Sequence, residues 1–328
     1  MNVMEKMGRV LLFTLIFWNL ENYYDPFIDD TGNEYTPKGE KHWSWKKFCS
    51  KRDLISKIII STRDVYSVYP SIIGVCEVEN IFVLKQLITQ TPLNSLGYKI
   101  LHKNSIDKRG IDVALLYRQS EVAILKENYF PSKEWLETHN LQTRYILYTK
   151  CVIKETNDTL HIFVNHWPSK LGDRKVSNNG EKFSARISIA MQVRKRCDSI
   201  LKTNPNARII LMGDFNDTPD SESIKYLCGE GYKTEESILP LINLAATQSQ
   251  HSWGIGSYKF KESWEAIDQF IVSDSIGMKM SVFTHNALLI QDKKFLGKQI
   301  SRTHKGPRYS GGASDHLPIL LTIKYPLN

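Results

Sequence analysis

Short β-rich apolar runs recur along this chain, and nearly every one ends in a polar residue able to bind a metal, move a proton or contact a phosphate. The runs are Leu11–Trp18, Ile72–Cys76, Ile111–Tyr117, Tyr145–Val152, His161–Asn165, Arg208–Met212, Ala266–Val272 and Ile319–Ile323. Their lengths and β-branched content predict buried strands. Helical patterns fall between some of them, at Trp45–Thr62, Asn80–Thr89, Glu181–Leu201 and Ser221–Cys228. In the third, Ile187, Ala190, Met191 and Val193 form an apolar stripe beside Arg194, as on a helix lying on a sheet. No Pro/Ser-rich linker, repeat or low-complexity tract divides the chain, so residues 1–328 are expected to form one domain. Asp25–His42, Ser169–Gly180 and Phe295–Gly312 read as long polar loops.

Five run ends carry chemistry: Asn19-Leu20-Glu21-Asn22, Glu77-Val78-Glu79-Asn80, Asn165-His166-Trp167-Pro168-Ser169-Lys170, Gly213-Asp214-Phe215-Asn216-Asp217 and Ser314-Asp315-His316-Leu317-Pro318. Each alone has a bland explanation. A histidine after a strand is commonly structural, Gly-Asp-Phe-Asn is a serviceable turn, and Glu77 near a helix start favours the positive end of its dipole. Repeated at strand end after strand end, the bland explanations become hard to sustain together.

Composition adds limits. Apolar residues at 41% and charged residues at 24% are ordinary for a packed globular chain and do not suit disorder. A net charge of +8 is compatible with an acidic partner and equally with a solvated surface. The five cysteines are widely spaced, without metal-finger or redox-pair spacing, and read as reduced thiols. They favour a cytoplasmic location. Lys6 and Arg9 before the apolar stretch Val10–Trp18 resemble the start of a signal peptide, which leaves export from a mis-assigned start as the alternative. That stretch is too short to span a bilayer and no small-residue cleavage site follows it, so it is expected to be a buried first strand and no transmembrane segment is expected.

Taken together, Asn-Leu-Glu-Asn, Cys-Glu-Val-Glu-Asn, Asn-His-Trp-Pro-Ser-Lys, Gly-Asp-Phe-Asn-Asp and Ser-Asp-His-Leu-Pro resemble the ordered motifs of the endonuclease/exonuclease/phosphatase superfamily, from Trp18 to Pro318. Arg109–Tyr117 and His166 resemble its deoxyribonuclease I-like bacterial members. The resemblance implies an α/β fold, a four-layered sandwich of two facing mixed β-sheets flanked by helices. It implies a metal-dependent phosphoesterase in which Glu77, Asn19 and Asp315 hold Mg²⁺, with Mn²⁺ a substitute. Asp214 would orient the attacking water, Asn216 would contact a phosphate oxygen, and His316 would handle a proton with Asp268 as its carboxylate partner. His166 would be a second imidazole supported by Asp112, and Lys170 and Arg186 would contact substrate. Which histidine is acid and which is base stays open, as does one metal or two.

The basic balance, His166 with Asp112, and the loop residues Lys170, Arg174, Lys175, Arg302, Lys305 and Arg308 favour nucleic acid as substrate, phosphate contacts supplying most sequence-independent affinity. A small phosphoester such as an inositol phosphate or phospholipid headgroup is the alternative. An inert binding scaffold is disfavoured, because Glu77, Asp214 and His316 are all present. Trp43, Trp45, Trp167 and Trp253 are candidates for base stacking, although tryptophans more commonly belong to the core. DNA or RNA, and endo or exo cutting, are undecided; a monomer is expected.

Overall fold

The computed structural model describes residues 10–27, 34–169, 175–178, 181–230, 239–249 and 256–326. Twelve strands make its two large sheets: β1 (Val10–Tyr23), β2 (Ile72–Val78), β3 (Tyr98–His102), β4 (Asp112–Arg118), β5 (Val122–Phe130), β6 (Ile146–Ile153), β7 (Thr159–His166), β8 (Arg208–Asp214), β9 (Ile242–Asn243), β10 (Asp268–Val272), β11 (Met278–Val282) and β12 (Ile319–Pro326). The strand order is β11-β12-β1-β2-β4-β3 in the first sheet and β9-β10-β8-β7-β6-β5 in the second. Both sheets share a plan: the central pair, β1 with β2 and β8 with β7, is parallel, and every other pairing is antiparallel.

Period-two alternation sorts the side chains. Phe13, Leu15 and Phe17 of β1, Leu160, Ile162 and Val164 of β7, Ile210 and Met212 of β8, and Phe270 and Val272 of β10 meet in one core between the sheets. Ile16 and Trp18, of opposite parity, pack outward under α1 (Trp45–Tyr66) and α2 (Ile81–Thr89). Phe163, Ile209 and Leu211 pack outward under α4 (Ala185–Thr203) and α5 (Glu222–Cys228). The result is the expected four layers. Short helices α3 (Lys133–Thr138) and α6 (Leu244–Ser249) complete the helical set among the described residues.

Some boundaries differ from the sequence reading. The third helix starts at Ala185, because Glu181–Ser184 pairs with Lys175–Asn178 and the Ser184 hydroxyl then caps the Ile187 amide at 3.2 Å. The supposed loop 295–312 contains one hairpin, His304–Lys305 with Arg308–Tyr309, and the strand Lys298–Ile300, which pairs with Leu289–Gln291 before it. Trp43 and Trp167 are fully buried, Trp45 is 43% exposed and stacks on Phe48, and Trp253 lies outside the described residues. Among the described residues, no helix is long and apolar enough to cross a membrane.

Two glycines permit close approach, Gly74 between the sheets and Gly213 within the second sheet. A Cβ on Gly74 would lie 2.7 Å from Met212 Cε, so its absence lets Met212 reach the facing sheet. A Cβ on Gly213 would lie 2.5 Å from the Asn165 carbonyl oxygen, a backbone atom that cannot rotate away. Gly213→Ala is therefore expected to lower stability by about 1–3 kcal/mol through overpacking of the β7–β8 pair. Urea denaturation of the metal-free protein measures this, and an unchanged midpoint would mean that the two strands separate freely.

Candidate active site

The catalytic candidates are the next residues along the inward face. Asn19 follows Phe17, His166 follows Val164, Asp214 follows Met212, and Asp268 precedes Phe270, each at a spacing of two. Register then aligns them, since Asp214 pairs with His166 across the parallel β7–β8 ladder and with Asp268 across the antiparallel β8–β10 ladder. Glu77 gets there differently. It is the extra residue of a bulge between Cys76 and Val78, with φ of 58°, and the bulge turns its carboxylate towards the cleft rather than under α2.

One cleft of about 840 Å³ is lined by Asn19, Glu77, His166, Asp214, Asn216, Asp315 and His316. Asp268 stands behind His316, its Oδ2 2.7 Å from Nδ1. Asn19 Nδ2 donates to Asp214 Oδ2 at 3.0 Å, and the Asn216 amide donates to Oδ1 at 2.9 Å. Asp214 Oδ2 also lies 3.8 Å from Nε2 of both His166 and His316. The Ser314 hydroxyl donates to the Asn19 carbonyl and accepts from the His316 amide, tying the last motif to the first.

Asp112 and Arg186 do not join this cleft. Asp112 shares strand parity with Ala114 and Leu116, which pack under the helices, so it faces away from His166. It accepts instead from the Ser105 amide at 2.9 Å and lies 3.2 Å from His102 Nε2. His166 Nδ1 has no hydrogen-bond partner among the described residues. Arg186 is buried, its Nε donating to Asp217 Oδ2 at 2.7 Å and Nη1 reaching the Pro168 carbonyl at 3.4 Å, so it braces the loop carrying Asn216. Lys170 lies outside the described residues.

Three lining residues had no assigned role in the sequence reading. Arg109 reaches Asn22 Oδ1 at 2.6 Å and Glu77 Oε2 at 3.4 Å. Arg144 is held by Asp107 at 3.1 Å and by the Trp167 carbonyl at 2.9 Å. The Tyr258 ring lies 4.9 Å from that of His316. Arg109 stands in the quoted Arg-Gly-Ile-Asp stretch, so proximity to that motif was an available signal; an arginine before a strand, such as Arg144, carries none.

Electrostatics separates the groups. Burial and the Asp268 charge push the Asp214 carboxyl up to about 7. Burial pulls His316 down, but the charge and hydrogen bond of Asp268, with Asp214 and Asp315, outweigh it and hold the imidazole well above its ordinary value. His166 is pushed well below by burial, then by Arg144 and Arg109. One imidazole is thus cationic and the other neutral at neutral pH.

A divalent cation fits these donors. Glu77 Oε1 accepts no hydrogen bond among the described residues and points into the cleft, 3.9 Å from His166 Nε2. With Asp214, Asp315 and the Asn19 amide it offers the hard oxygen atoms such ions take. Donor atoms of Cys76, His166 and Asp214, and of Asp214, Asp268 and His316, also lie within 4.8 Å of one another. Both groups are poorer choices: burial raises the Cys76 thiol well above its usual value, and His316 Nδ1 is committed to Asp268.

The sequence profile of the Endonuclease/Exonuclease/phosphatase family matches residues 14–325. The chain belongs to this family. It is a metal-dependent hydrolase of phosphoric esters. A search of curated protein sequences gave no match. Among solved structures the family member is similar to a mannosyl-6-phosphatase of Bacteroides thetaiotaomicron, with 18% identity over 95% of this chain and 99% of that one and a TM-score of 0.58. It is similar to the human Nocturnin catalytic domain, solved with a sulfate anion, at 15% identity over 96% of both chains and a TM-score of 0.54. It is also similar to D. rerio TDP2, solved with a single-stranded DNA product, at 14% identity over 95% and 98% of the two chains and a TM-score of 0.53. At these identities the likeness shows a shared fold.

Ionising Asp214 costs folding free energy, because its carboxyl is raised to about 7. Its contribution to stability is complete at acid pH, below the unfolded value, and is lost as pH rises through 7. A bound cation favours the ionised form. The gain in melting temperature from Mn²⁺ over EDTA is expected to grow between about pH 6 and about pH 8, and to grow less in Asp214→Asn. A gain independent of pH in both proteins would remove Asp214 from the cation's neighbourhood.

Proposed function

We propose that this family member is a phosphodiesterase cutting nucleic acid, with Mg²⁺ as its ion and Mn²⁺ as a substitute. The observation that carries the reading is the pair of imidazoles driven to opposite charge states, each 3.8 Å from the same oxygen of one buried carboxylate. Groups pushed apart in this way can take different roles at one pH, the cation as proton donor and the neutral ring as phosphate contact. Arg109 and Arg144 in the wall of the same cleft add positive charge suited to a phosphate backbone. A DNA product on D. rerio TDP2 agrees with a nucleic-acid substrate; a mannosyl-6-phosphatase with the same fold marks the small phosphoester as the competitor.

In this reading Glu77, Asn19 and Asp315 would hold the ion, which would supply positive charge to offset that of the phosphate. Asp214, raised to about 7 and oriented by the Asn19 and Asn216 hydrogen bonds, directs the attacking water and takes its proton. His316, kept cationic by Asp268, donates from Nε2 to the oxygen on which charge accumulates. His166, neutral, contacts the phosphate from the opposite wall, and the Arg109 and Arg144 guanidinium groups neutralise flanking oxygens.

Glu77→Gln should remove most activity through weaker ion binding and regain part of it at high Mn²⁺, since mass action compensates for lost affinity. His316→Ala should lose about 10² to 10⁴ in rate with no recovery, because an added ion does not replace a proton donor at that position. Turnover against Mn²⁺ concentration for both variants, on oligonucleotides, inositol phosphates and sugar phosphates, tests roles and substrate together. Identical Mn²⁺ curves would merge the two roles, and turnover of the small phosphoesters alone would replace the nuclease reading.

A further inference from the structure

Beside the catalytic cleft lies a second one of about 910 Å³, and Tyr258, Phe260 and Asp315 line both. Three hairpins build its walls: Tyr258–Phe260 with Ser263–Glu265, Leu289–Gln291 with Lys298–Ile300, and His304–Lys305 with Arg308–Tyr309. A buried ion pair fixes two of them together. Lys259 Nζ, on the first hairpin, donates to Asp292 Oδ2 at 2.8 Å and to the Lys298 carbonyl at 2.9 Å, on the second. Asp292 Oδ1 in turn accepts from the Lys294 and Phe295 amides at 2.9 and 3.0 Å. The turn is therefore shaped before anything binds.

Charge in this second cleft is one-sided. Its two carboxylates are already paired, Asp292 with Lys259 and Asp315 with Arg302 at 3.2 Å. Lys261, Lys293, Lys294, Lys305 and Arg308 have no carboxylate partner among the described residues. Aromatic rings lie beside two of these cations. Phe260, where the two clefts meet, is 53% exposed with Lys261 Nζ 5.4 Å from its centroid, and Lys294 Nζ stands 5.1 Å from the Phe295 ring.

We propose that this second cleft carries the part of a single-stranded nucleic acid that flanks the bond being cut, an assignment that rests on the nuclease reading. Several cations without a carboxylate partner match a chain of phosphates, whereas a mononucleotide or sugar phosphate would leave most of them unused. The exposed Phe260 ring beside Lys261 matches an unpaired base, whose face is free to stack; in a duplex such faces are already covered. The shared Phe260 makes the path continuous with the scissile position, and Asp315, engaged by Arg302, keeps the junction from repelling the strand.

The test compares wild-type enzyme with Lys293→Glu/Lys294→Glu, which lies outside the catalytic cleft and on an exposed turn. Substrates are the small diester bis(p-nitrophenyl) phosphate, a single-stranded dodecanucleotide and the same sequence as a duplex, each with Mn²⁺ over a range of salt. Expected are equal turnover of the small diester by both proteins, wild-type preference for the single strand, and a loss of about tenfold or more in kcat/KM for it in the variant at low salt. The log–log salt slope should flatten by about 1.4 for the two cations lost. Loss on the small diester as well would mean a folding defect rather than a lost contact; the milder Lys293→Gln/Lys294→Gln then carries the comparison, with the same oligonucleotide-selective loss expected. Equal dodecanucleotide kinetics in wild type and variant, or a preference for duplex, would overturn the groove while leaving the nuclease reading standing. If neither nucleic acid is cut although the small diester is, the nuclease reading itself fails.

Discussion

The two-residue alternation of the central strands is the constraint on which the rest of the molecule depends. It is set by burial: Phe17, Val164, Met212 and Phe270 have to face the space between the sheets, each large apolar side chain being worth roughly 1.5–3 kcal/mol there. A one-residue slip in any of these strands would turn its whole apolar set outward. The same parity that fills the core delivers Asn19, His166, Asp214 and Asp268 to one rim of the sandwich. The geometry of the candidate site is in this sense an extension of core packing. The parallel central pair of each sheet ends its strands at the same rim, so Asn19 and Glu77 from one sheet meet His166 and Asp214 from the other.

Gathering these groups is costly for the folded chain. Asp214 and Asp268 are both buried and their charges oppose each other, partly offset by His316 between them. A second strained group lies just behind, where Lys51 is buried with its Nζ 2.6 Å from Thr303 Oγ1. Burial lowers this lysine to about 8 and, with the Asp315 charge, raises Glu21 to about 7. A rim crowded with carboxylates and backed by a buried lysine suits a divalent ion, which supplies the missing positive charge. Arg109 supplies part of it on the other side, at 3.4 Å from Glu77.

How much of this the sequence discloses follows from how local each determinant is. The strands were legible because burial on both faces makes near-continuous apolar runs, and the site because its residues adjoin those runs. Asp112 shows where such reading stops. A carboxylate beside a strand is visible in sequence, but its side depends on parity, and Asp112 has that of Ala114 and Leu116. Arg186 illustrates a second limit, since a cation near the catalytic loop serves equally to contact substrate or to hold that loop, and only its 2.7 Å bond to Asp217 distinguishes the two. The hairpins within 289–309 were illegible for another reason. Their strands are two or three residues long, too short for any periodicity, and a single buried pair, Lys259 with Asp292, ties the first of them to the Tyr258–Glu265 hairpin from 33 residues apart.

The two kinds of determinant divide the labour of the fold. Residues that adjoin core strands are held by register and are not free to move without unpacking the sandwich, which suits groups whose mutual distances decide a rate. Residues on the hairpins are held by a few polar contacts and change without disturbing the core, which suits groups that choose among substrates. The join between them is specific. Thr303 donates its amide to Glu21 Oε2 at 2.7 Å, its hydroxyl meets Lys51, and the adjacent Arg302 grips Asp315. The hairpin region is thereby fastened to the end of β1, two residues beyond Asn19. A change of substrate in such an enzyme can therefore be made by altering the hairpins alone, provided that Thr303 stays, since losing it would take one hydrogen bond from each of the buried Lys51 and Glu21 and leave only the direct bond from Lys51 Nζ to the Glu21 carbonyl.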